Sequence, residues 1–61
     1  MDKDQVVNMM LESFISDNRM MGAGNGMPED EVEKFIEQSK PSIIYMLSNA
    51  YDKLVENKIL Q

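Results

Sequence analysis

The chain has 61 residues, eleven acidic and six basic, with no cysteine and no histidine, a net charge of −5 and an isoelectric point near 4.4. It can form one domain at most, and a chain this short buries only about 60% of the surface that its unfolded form exposes. The missing residue types exclude a disulfide framework, thiol catalysis, a zinc finger and imidazole acid–base chemistry. Paired carboxylates, Tyr45, Tyr51 and Lys58 could in principle move protons, but no spacing gathers them and no pocket encloses them. The expectation is a protein that is not an enzyme and carries no cofactor. One arginine and scattered lysines do not make a phosphate-tracking surface, so direct nucleic-acid binding is not expected. No apolar run approaches the roughly 20 residues of a membrane span, and Met1-Asp2-Lys3-Asp4-Gln5 lacks the basic start of a signal peptide. These features predict a soluble, cytoplasmic protein.

The pattern predicts an all-α fold: a small domain of three helices spanning about 4–18, 28–39 and 41–58, assembled as an oligomer. In the first helix, Val7, Leu11 and Phe14 fall at the centre of one face, flanked by Val6, Met10 and Ile15; only Met9 breaks the pattern. Asp2 or Asp4 can cap its first turn, and Asp17-Asn18 followed by glycines ends it.

All three glycines then fall in Gly22-Ala23-Gly24-Asn25-Gly26. Residues 19–27 read as a Gly/Met-rich interhelical loop whose detailed chemistry matters little for the fold. The methionines Met20, Met21 and Met27 bracket it, and seven methionines in so short a chain suit gap-filling or an adaptable interface. Flexible N–H groups before a helix N-terminus are also the geometry that holds anions. Here Glu29, Asp30 and Glu31 oppose that use, and no lysine, serine or threonine follows in the nucleotide-binding arrangement.

Pro28 with three acids behind it is a strong helix start, and Val32, Phe35 and Ile36 give the second helix its apolar stripe. Pro41 disfavours helical geometry at Lys40, so the chain breaks there; one continuous helix bent at Pro41 is the alternative. In the third segment Ile43, Leu47, Ala50 and Leu54 form a short heptad seam, predicted to carry self-association, with Ala50 the small residue that admits a neighbour. Tyr45 points away from that seam and suits a contact surface. Ile59 and Leu60 form an apolar tail.

The functional expectation is a small acidic helical binding protein. It would be a regulator, inhibitor or accessory factor, of the kind bacterial viruses also make, acting through a protein partner and through self-association. The candidate contact residues are Arg19, Met20, Met21, Gly22, Gly24, Asn25, Gly26 and Tyr45. The alternative is an oligomeric binder of a nucleotide or other small anion, with sites between subunits in which symmetry multiplies Arg19. Met21-Gly22 after the first helix, with the three-helix count, loosely resembles ubiquitin-associated domains. The first helix is longer and the loop richer in glycine than that comparison requires, so no function is taken from it.

Overall fold

The structure is a computed structural model that describes residues 1–59; Leu60, and with it half of the expected apolar tail, lies outside them. Among the described residues there are two helices and no strand: α1, Lys3–Gly24, and α2, Glu29–Glu56. They run antiparallel, as the cross-helix ion pairs Arg19–Glu33 near the turn and Lys3–Asp52 near the far end require. The hairpin measures 42 × 18 × 16 Å. Its long dimension is the length of α2 itself, 28 residues at about 1.5 Å each.

The all-α expectation stands and the three-helix expectation does not. α2 runs through Pro41 without a break. Proline there removes the hydrogen bond to the Glu37 carbonyl and crowds it, at a cost of about 3 kcal/mol in a helix interior. The stripe of Val32, Ile36, Ile43, Leu47 and Leu54 offsets that cost, because it stays in phase across Pro41 and presents one surface to α1. Pro41 itself is exposed.

The first helix is also longer than predicted. It continues through Arg19, Met20, Met21, Gly22 and Ala23 to Gly24, so most of the expected 19–27 loop is helix. The connector is only Asn25 to Pro28. Gly26 adopts φ +73° and closes α1 in a Schellman motif: its N–H donates to the Ala23 carbonyl (3.1 Å), and that of Met27 donates to the Gly22 carbonyl (2.9 Å). At the other end Asp2 caps α1, accepting from the Gln5 N–H at 2.9 Å while the Gln5 side chain accepts from the Asp2 N–H at 3.0 Å. Pro28 is the N-cap of α2 rather than its first residue, a shift of one position.

Gly22 explains why helix was kept where the glycines suggested loop. It is buried, and a Cβ placed on it would run into both methyl groups of Val32. Glycine in a helix costs about 1 kcal/mol relative to alanine. Here it lets α2 approach until Val32 is 6% exposed. With Ile36 (2%) and Val7 (5%), Val32 completes the buried apolar core. Each fully buried side chain of this size contributes about 1.5–3 kcal/mol.

Candidate binding surface

Beside the turn, an open cleft of about 350 Å³ is lined by Arg19, Ala23, Met27, Glu29, Val32 and Glu33. Its one cation is engaged. Arg19 donates from Nε to Glu33 Oε2 (2.9 Å) and from Nη2 to Glu33 Oε1 (2.7 Å), a bidentate fork that a lysine cannot reproduce. The hydrogen bonds from Arg19, aided by its charge, hold the Glu33 carboxyl below its ordinary range. The same bonds, with the charges of Glu33 and then Glu29, raise the Arg19 guanidinium. Because α1 continues to Gly24, Arg19 also lies more than a turn inside the helix, where the helix dipole has little hold on it. An anion entering this cleft would meet two carboxylates and a guanidinium already spoken for.

The other expected contact residues are dispersed. Met20 is 71% and Met21 61% exposed, and the two occupy different sides of α1. Met21, Gly22 and Asn25 share a shallow groove with Asn18, Met27, Val32 and Phe35. Gly24 and Gly26 have open space where a side chain would be. Tyr45, 69% exposed, lies mid-α2 and far from the glycines. The structure therefore does not gather these residues into one site. Among the described residues no three carboxylates come close enough to hold a metal ion.

In the predicted self-association seam, Ile43, Leu47 and Leu54 are half-buried on the face of α2 that carries Val32 and Ile36, and Ala50 is exposed. That seam is spent largely on α1 of the same chain. Phe35, which the helical stripe assigned to the core, is 52% exposed instead. Met46 (55%) and Ile44 (40%) are open as well, and Met9 (56%) lies on the outer side of α1.

The uncovered surface is large. The chain exposes 4762 Å². A compact protein of its 7.0 kDa mass would expose about 4,000 Å², so the hairpin carries an excess of about 700 Å². No described helix is long and apolar enough to cross a membrane. No protein-family model, curated protein or solved structure matches the chain.

Proposed function

We propose that the chain is a non-enzymatic helical binding protein of the regulator, inhibitor or accessory type. It would work through protein–protein contacts, the first of them with its own copies. The observation that supports this is the open apolar surface: among the described residues Val7, Val32 and Ile36 form the buried core, while Phe35, Tyr45, Met46 and several other large apolar side chains stay open. A two-helix hairpin of this size has little core of its own, and association is a common remedy. The same reading sets the protein in the cytoplasm, where a cysteine-free chain loses no disulfide.

Sedimentation equilibrium tests it. The expected result is a mass that rises with protein concentration toward a multiple of 7.0 kDa, with a melting temperature that rises in parallel. A monomer mass at every concentration would rule self-association out. The anion-binding alternative draws no support from the cleft, whose arginine is already paired to Glu33.

A further inference from the structure

The connector holds a reactive pair. Of the five asparagines in the chain only Asn25 precedes a glycine, and both residues are exposed between the two helices. A backbone nitrogen can attack the side-chain amide of the residue before it, most readily when the attacking residue has no Cβ to crowd the approach. At Gly26 the space where a Cβ would stand is open, with nothing within 4 Å. The other asparagines are placed worse. Asn8, Asn18 and Asn49 lie within helices, and the Asn18 and Asn57 amides donate to the Phe14 and Lys53 carbonyls at 2.8 Å.

We propose that Asn25 is a site of spontaneous deamidation, with water as the only co-reactant, and that closure of α1 at Gly26 holds the reaction back. The Gly26 nitrogen forms a bond to Cγ of Asn25 and gives up its proton. The bond from Cγ to Nδ2 breaks, ammonia leaves with that proton, and a five-membered succinimide remains. Water then opens the ring. Addition at Cγ gives aspartate; addition at the backbone carbonyl carbon of residue 25 gives isoaspartate, whose main chain runs on through Cγ.

The closed turn opposes the first step. With ψ at 3°, the Gly26 nitrogen is eclipsed with the nitrogen of Asn25, whereas the ring requires it to be eclipsed with Cβ. Turning ψ that far breaks the bonds from the Gly26 N–H to the Ala23 carbonyl (3.1 Å) and from the Met27 N–H to the Gly22 carbonyl (2.9 Å). The site therefore reacts when the end of α1 opens. The product keeps it open. Isoaspartate adds one backbone carbon between Cα of residue 25 and Gly26, which puts both closing bonds out of register. Either product also adds one negative charge to the chain's −5, at a helix C-terminus where the dipole disfavours it.

The site can be read alone. Trypsin cuts after Arg19 and Lys34, and Asn25 is the sole carboxamide side chain in the peptide of residues 20–34 that this releases. Mass spectrometry of that peptide follows the loss of ammonia over weeks at one position. The parent protein in neutral buffer should convert about tenfold or more slowly than the same protein in urea, the factor that two closed backbone hydrogen bonds supply. A synthetic peptide of residues 20–34 in the same buffer, with no helix partner to hold its turn, should match the urea rate. Conversion of the folded protein as fast as the peptide overturns the gating, and a peptide that keeps Asn25 intact over the same period overturns the site. The consequence is measured separately. Isolated isoaspartate protein should melt below an Asn25→Asp variant, which carries the same added charge on an ordinary backbone; equal melting temperatures overturn the claim that the reaction opens the turn.

Discussion

The turn-proximal third of the hairpin and the middle of α2 are built from similar residue types but finished differently. At the turn, Gly22 admits Val32, Ile36 is 2% exposed, Gly26 closes the helix and the Arg19–Glu33 fork spans the outside. In the middle of α2, Met46 and Tyr45 are as apolar or aromatic as anything in the core, yet more than half of each is exposed. The difference separates two kinds of hydrophobic information in one helix. One stripe specifies the hairpin, and the other side chains stay exposed beside it.

The largest expected effect distinguishes these stripes. Ile36→Ala should lower stability by about 2–5 kcal/mol at every protein concentration, because it opens a cavity inside one chain. Met46→Ala should change the dilute protein by no more than about 0.5 kcal/mol and act only at concentrations where copies associate. Urea unfolding at low and high concentration reads both. Equal losses for the two variants in the dilute sample would erase the distinction.

The three glycines sharpen the comparison on a smaller scale, since they sit within five residues and play different parts. Gly22→Ala should cost about 1–3 kcal/mol by overpacking against Val32, despite about 1 kcal/mol of helix propensity gained. Gly26→Ala should cost about 1–2 kcal/mol, because φ +73° disfavours a Cβ. Gly24→Ala, helical and facing open space, should stabilise by about 0.4–1 kcal/mol. Urea unfolding gives all three signs. A neutral Gly22→Ala would mean that Val32 yields and that the close approach is not needed.

These glycines also show what could be read from the sequence. Their clustering said loop, and only the position of Val32 across the gap reveals that Gly22 is a packing residue. Asp2 as a cap, the stripe of Val7, Leu11 and Phe14, and the acidic start of α2 were all legible, because each is a local signal. Pro41 misled for the same reason. Its local rule favours a break, while the in-phase stripe from Val32 to Leu54 is tertiary information that outweighs it. Phe35 was misplaced because it lies only one step round the helix from Ile36, and sequence alone does not say how wide a face α1 covers.

The smallest expected effect concerns the outer clasp of the turn. Arg19 depresses the Glu33 carboxyl, so the folded state holds that group ionised to lower pH than the unfolded chain does. A lowered folded value contributes stability that is complete above the ordinary carboxylate range and is lost as pH falls through the folded value. Arg19→Ala should therefore shrink the loss of stability between neutral and acidic pH, and salt should shrink it in the parent, because both partners are well exposed at 58% and 42%. Arg19→Lys should fall between, keeping the charge but not the two-pronged bond. The other carboxylates titrate in every variant, so the difference between curves isolates the pair. If stability against pH runs parallel in the parent and Arg19→Ala, the fork does not couple to folding, and the turn is held by Gly22, Val32 and Ile36 alone.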